Sequence, residues 1–172
     1  MCHFITLIVP TEDEAALRAV MKRHGRTAEA IDNPSVRRVL RADERQYLTC
    51  MRECDCGTVL APSLEGPAEG DEARRLAAKG WSKAKIDRAL ADRRKASTRS
   101  QEGVDSFELW AAVIADVQSS LRLPRAGLFL HLYSGGLEDE ITPPRRRDAP
   151  PRGDRLDALR SLAPDEVLIF PA

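Results

Sequence analysis

All four cysteines of this 172-residue chain lie in two places. One is Cys2; the others fall in the run Cys50-Met51-Arg52-Glu53-Cys54-Asp55-Cys56-Gly57-Thr58. Packing has no need of a C-x3-C-x-C-G cluster, because aliphatic side chains fill a core as well. The spacing therefore points to thiolate chemistry or to metal ligation. Thiolates suit zinc, copper(I) and iron–sulfur groups, and a structural zinc takes four ligands. The expected set is Cys2, His3, Cys54 and Cys56, with zinc as the expected ion and His131 as a further candidate. If residues 47–56 stay extended, Cys50, Cys54 and Cys56 share one face with Arg52, but next-but-one side chains on a strand stand too far apart for good chelation. Gly57 permits a tight bend that brings Cys54 and Cys56 onto one ion.

The same residues support a second chemistry, nucleophilic catalysis by a thiol. Removal of Met1 would leave Cys2 with both a thiol and an α-amine, the latter able to act as base. Cys54 is the other candidate nucleophile, with His3 or His131 as base. The Met1-Cys2 opening resembles that of glutamine amidotransferases and abasic-site-crosslinking proteins, whose catalytic cysteine is the second residue. This chain departs from them at once, with His3 where they have glycine.

Composition narrows the field. Lys+Arg and Asp+Glu balance at 27 each, so no global charge draws the chain to nucleic acid or to an anionic membrane. No apolar run approaches the roughly 18 residues that span a bilayer. The opening MCHFITLIVP lacks a basic segment and a small-residue cleavage site, so a signal peptide is not expected. A cytoplasmic setting follows, in which clustered cysteines are ligands or free thiols rather than disulfides. Two basic stretches remain. Lys79 to Arg99 carries Arg88, Arg93 and Arg94 among eight cations, on two helices joined at Gly80-Trp81-Ser82. That arrangement makes nucleic-acid binding a third expectation. Arg145-Arg146-Arg147, in a proline-rich stretch, is a candidate contact for phosphate or for an acidic protein surface.

These residues need a scaffold. His3 to Val9 reads as a buried strand ended by Pro10. Thr11 with Glu14 forms a capping box for a helix that stops at Gly25. A turn follows at Asp32-Asn33-Pro34, then a strand from Arg45 to Met51. Residues 62–72 read as a linker, with helices over Asp71 to Lys79 and Ser82 to about Ala96. Asp105 or Ser106 caps a long helix whose apolar face runs Phe107, Trp110, Val113, Ile114, Val117 and Leu121. Strands are expected at Leu128 to Tyr133 and Val167 to Phe170, with a loop over about 138–154 between them. The order implies an α/β or α+β fold: one domain over 1–172, a mixed-sheet sandwich with helices mainly on one face and a helical insert at 62–104.

Met1-Cys2-His3-Phe4-Ile5-Thr6, Asp32-Asn33-Pro34, Tyr47-Leu48-Thr49 and Cys54-Asp55-Cys56-Gly57-Thr58 together resemble a group of small bacterial proteins with no known activity. The resemblance covers roughly the first 60 residues. It implies a bacterial cytosolic origin and places Cys2 and the CDCG segment in one unit. The function expected from the whole reading is non-enzymatic: binding of another protein, of toxin-neutralising or regulatory type, with a structural metal site built on the cysteines.

Overall fold

The computed structural model describes residues 1–50, 54–61, 69–91, 105–151 and 153–172. Its centre is β1 (Cys2–Val9), seven of whose eight residues are apolar or hydroxyl-bearing and most of which are buried. Alternation along β1 feeds two cores. Ile5, Leu7 and Val9 join one apolar cluster, while Phe4 and Ile8 join another on the opposite face of the sheet.

The other strands are β2 (Glu29–Ile31), β3 (Arg45–Leu48), β4 (Arg125–Tyr133), β5 (Arg145–Asp148) and β6 (Glu166–Pro171). They form one six-stranded sheet in the order β2-β3-β1-β4-β6-β5. All neighbours are antiparallel except β5 and β6. A parallel pair needs a crossover, and the helix α6 (Arg155–Arg160) supplies it. The mixed sheet with its helices is the α+β arrangement expected from the sequence.

Two long helices cover the first face. α1 (Glu14–Arg23) buries Leu17, Val20 and Met21. Its N-cap is Asp13, whose Oδ1 accepts the Ala16 N–H at 2.9 Å, rather than Thr11 as the capping-box pattern suggests. Thr11 instead accepts the Asp13 N–H through its hydroxyl at 3.1 Å. The helix closes at Gly25, where φ is +67°. α5 (Phe107–Leu121) is capped by Ser106 and buries Trp110, Val113, Ile114 and Val117 at helical spacing. The Gln118 amide donates to the Phe170 carbonyl at 2.8 Å and pins α5 across β6. On the second face the short helix α2 (Pro34–Arg37) contributes Val36, beside Leu137 and Ile141 from the segment after β4. Asn33 holds that segment down by donating to the carbonyls of Leu137 and Asp139.

The stretch expected as a helical insert contains α3 (Glu69–Ala78) and α4, residues 83–91, joined at Gly80 with φ +80°. Leu76 and Ile86 are its buried apolar residues among those described.

Three sequence expectations change here. The strand expected to run to Met51 ends at Leu48, and residues 51–53 lie outside those described. β2 and α6 have too few periodic residues to announce themselves. The stretch 138–154, expected as loop, contains β5. Strand propensity could not reveal Arg-Arg-Arg-Asp; its parallel register with β6 creates it. Charge on an outermost strand also guards the edge against pairing with other chains.

Gly127 sits where β4 passes β6. A Cβ there would lie 2.4 Å from Ile169 Cδ1 and 2.5 Å from the Leu168 carbonyl oxygen. Gly127→Ala is therefore expected to cost about 1–3 kcal/mol through overpacking, read as a lower urea midpoint. An unchanged midpoint would mean that the β4–β6 spacing is looser than described.

Candidate metal centre

β3 leaves β1 early. Its last paired residue, Leu48, lies opposite Thr6, so the same edge of β1 from Ile5 back to Cys2 has no strand beside it. Exposed main-chain groups must find other partners, and Thr49, Asp55 and Cys56 supply them. The Thr49 hydroxyl donates to the Ile5 carbonyl at 2.7 Å. The Ile5 N–H donates to Asp55 Oδ2 at 2.8 Å. The Asp55 N–H donates to the His3 carbonyl at 2.9 Å, and the His3 N–H donates to Cys56 Sγ at 3.1 Å.

This stitching lays Cys54 and Cys56 beside the start of β1, and three sulfurs meet. Cys2, Cys54 and Cys56 each offer an Sγ within 4.8 Å of the other two. The turn closes as expected at Gly57, which adopts φ +87° and donates its N–H to the Ala61 carbonyl at 2.8 Å. Cys56 is exposed; Cys2 and Cys54 are half-buried. Desolvation, reinforced by the Cys54 thiol, pushes the Cys56 thiol up against the opposing His3 N–H.

The core side of the turn is charged and buried. Asp55 is 1% exposed, and its Oδ1 accepts from Arg26 at 2.5 Å. Arg26 reaches Asp105 at 3.1 Å with its other nitrogen, and its guanidinium carbon lies 4.3 Å from the centre of the Trp110 ring. Asp105 also accepts the Val59 N–H, so the preface of α5 is tied to the turn. Burial pushes the Asp55 carboxyl up, although the Ile5 N–H and Arg26 pull it down. Sequence reading missed Arg26, Asp55 and Asp105 as site residues. Only Asp55 carried a signal, as the acid between two cysteines.

The remaining candidates disperse. Cys50 is buried and apart from the three-sulfur group; burial, then the nearby Asp55 charge, pushes its thiol up to about 11. That is the reverse of what a nucleophile needs. His3 contributes its backbone. Its imidazole is buried, Nδ1 has no hydrogen-bond partner, and its pKa is lowered by burial and then by His131. Among the described residues, the ligand atoms that converge are the three sulfurs, without His3. His131 lies opposite Phe4 in the β1–β4 register, stacks on Phe129 and pairs with Asp165. Among the described residues the imidazoles of His24 and His131 bond carboxylates, of Asp116 and Asp165, rather than a thiol.

The arginines divide similarly. Arg146 is held by Glu44 at 2.6 Å, and Arg147 binds Glu166 through two hydrogen bonds of 3.0 and 2.9 Å. Arg145 is exposed on β5 and Arg88 is exposed on α4, while Arg93 and Arg94 lie outside the described residues. A cleft of about 650 Å³ opens beside β2, lined in part by Glu12, Glu14, Asp32, Arg37 and Glu138. No cysteine or histidine lines it.

Fold and site together define an α+β chain with three thiols converging at one end of its central strand. Comparison with protein-family models, curated proteins and solved structures finds no match to this chain. None of its described helices is long and apolar enough to cross a membrane.

Proposed function

We propose that this chain is a non-enzymatic protein-binding module, regulatory or toxin-neutralising in type, whose Cys2, Cys54 and Cys56 thiolates hold a zinc-type ion. One observation carries the metal reading: three sulfurs, two of them about 50 residues from the third in sequence, converge within 4.8 Å. Clustered thiolates repel one another unless a soft or borderline cation neutralises them, and zinc is the common ion of that kind. The binding reading draws support from the separation of the parts. The thiols are away from the cleft, and the histidines are committed to other partners or buried.

Bound there, the ion would fasten the Cys54–Cys56 turn to the start of β1. The turn is already hydrogen-bonded to that strand, so the ion adds to a connection rather than creating it.

Native mass spectrometry of the reduced protein with added zinc tests the proposal. One ion per chain is expected, and none in the Cys54→Ser/Cys56→Ser variant. A wild-type chain that takes no zinc, or a variant that retains it, would remove the metal site from the proposal.

A further inference from the structure

We infer that the three-thiol group is a preformed acceptor for a thiophilic cation, held convergent by the buried Asp55–Arg26–Asp105 network, and that the ion enters and leaves without unfolding the chain. This deepens the metal reading above and rests on it. In a metal-built knuckle, the ligand loops are tied to the fold mainly by the ion, so the chain without metal loses that structure. Here two hydrogen bonds, Ile5 N–H to the Asp55 carboxylate and Asp55 N–H to the His3 carbonyl, tie the turn to β1 without using a ligand sulfur.

The carboxylate of Asp55 takes the place of a missing strand by accepting the Ile5 N–H, while its own N–H occupies the His3 carbonyl. Arg26 then locks that carboxylate from the core, at 10% exposure, and is itself locked by Asp105 and the Trp110 ring. The side chains at 54 and 56, on either side of this anchor, emerge beside Cys2. Their positions are set by a network of carboxylates and a guanidinium that includes none of the three sulfurs. Asp55 is thus a positioning residue, and supporting groups of this kind commonly govern affinity.

Exposure sets the route. Cys56 is the exposed member of the three, so an incoming thiol or chelator reaches the ion from that side. A preformed site open at one ligand suits exchange with thiolate-bearing carriers of metal ions, in which one sulfur is replaced at a time.

The test compares the metal-free and zinc-loaded wild-type chain by amide hydrogen exchange. Cobalt(II) titration, followed by the sulfur-to-cobalt charge-transfer absorption, then measures affinity in the wild type and in Asp55→Asn. Protection at the Ile5 and Asp55 amides, which bond the Asp55 carboxylate and the His3 carbonyl, is expected to stay the same with and without zinc. Asp55→Asn is expected to bind cobalt about 10–100-fold more weakly with the same absorption per bound ion. Asp43→Asn, whose carboxylate pairs with Arg125 instead, is expected to bind like wild type and controls for general loss of charge. Zinc that binds but is needed to protect Ile5 would overturn the preformed site and leave the metal reading standing. Wild-type affinity in Asp55→Asn would overturn the positioning role. A chain that binds neither ion would overturn both readings.

Discussion

Replacing Arg26 with methionine is expected to destabilise the chain by about 3–5 kcal/mol near neutral pH, the scale on which removing one partner of a buried ion pair leaves the other uncompensated. Among the described residues Arg26 is the sole cation paired with either carboxylate it serves: Asp55, 1% exposed, and Asp105, 7% exposed. Methionine would fill much of the same volume over Trp110 but would leave two acids facing each other away from water. The loss should depend on pH. Burial already pushes the Asp55 carboxyl up in the wild type, with Asp105 adding to it and Arg26 opposing. Without Arg26 the rise is larger, so the folded variant holds its proton to higher pH than the unfolded chain does. A raised carboxyl favours the fold below its unfolded value, and that contribution is lost as pH rises. The deficit of Arg26→Met relative to wild type should therefore be smaller near pH 5 than near pH 8. Urea unfolding at the two values, followed by far-ultraviolet circular dichroism, measures it. Equal deficits would show that the arginine acts by packing alone.

The second large effect is expected at Glu44. Its side chain is 1% exposed and meets Arg125 at 2.7 Å and Arg146 at 2.6 Å, while the Arg41 N–H donates to it at 2.7 Å. Burial alone would raise the carboxyl. The Arg146 hydrogen bonds, the Arg41 N–H and Arg125 outweigh burial and hold it at about 2, against an ordinary 4.5. A depressed carboxyl stabilises the fold above its unfolded value and loses that contribution as pH falls through the folded one. The window here runs from about 4.5 down to about 2. The linkage is on the order of 3 kcal/mol. Glu44→Gln should lose a comparable amount at neutral pH, moderated because Arg125 keeps Asp43 and Arg146 keeps Asp148. Its stability should then fall less steeply than that of the wild type below pH 4.5. Superimposable acid limbs in the two proteins would refute the assignment.

The two effects fall on two clusters of buried charge that do different work. Glu44 joins β3, β4 and β5 through Arg125 and Arg146, across a sheet whose strands are far apart in sequence. Asp55 joins the thiol turn to β1 and, through Arg26 and Asp105, to the start of α5. Two of the three arginines singled out in the sequence at 145–147 thus serve the sheet, with Arg145 left to solvent.

Local signals made much of the frame legible. β1, α1 and α5 carry strong periodicity, and their limits follow from groups near in sequence: Pro10 after the strand, Gly25 after the first helix, Ser106 before the long one. Three of the four expected metal ligands were legible for a related reason. Cysteine has few uses in a reduced core, so its clustering is itself a chemical statement, and Gly57 marked the bend between strand and turn.

The rest depended on partners remote in the chain. β5 has no strand pattern and exists because β6 offers it a parallel edge. His3 has a ligand's chemistry, but alternation along β1 buries its imidazole while its amide turns to Cys56. Cys50 shares the motif but is buried just past the end of the strand at Leu48, apart from the three sulfurs that meet. Arg26 resembles any surface arginine after a helix until the fold sets it between Asp55 and Asp105. By itself the sequence determined which residue types could do chemistry and which local elements would form, since both depend on neighbours a few residues away. Only the tertiary structure decided which sulfurs meet and which charges are buried, because hydrogen bonds and ion pairs between residues tens of positions apart exist only once the sheet has assembled.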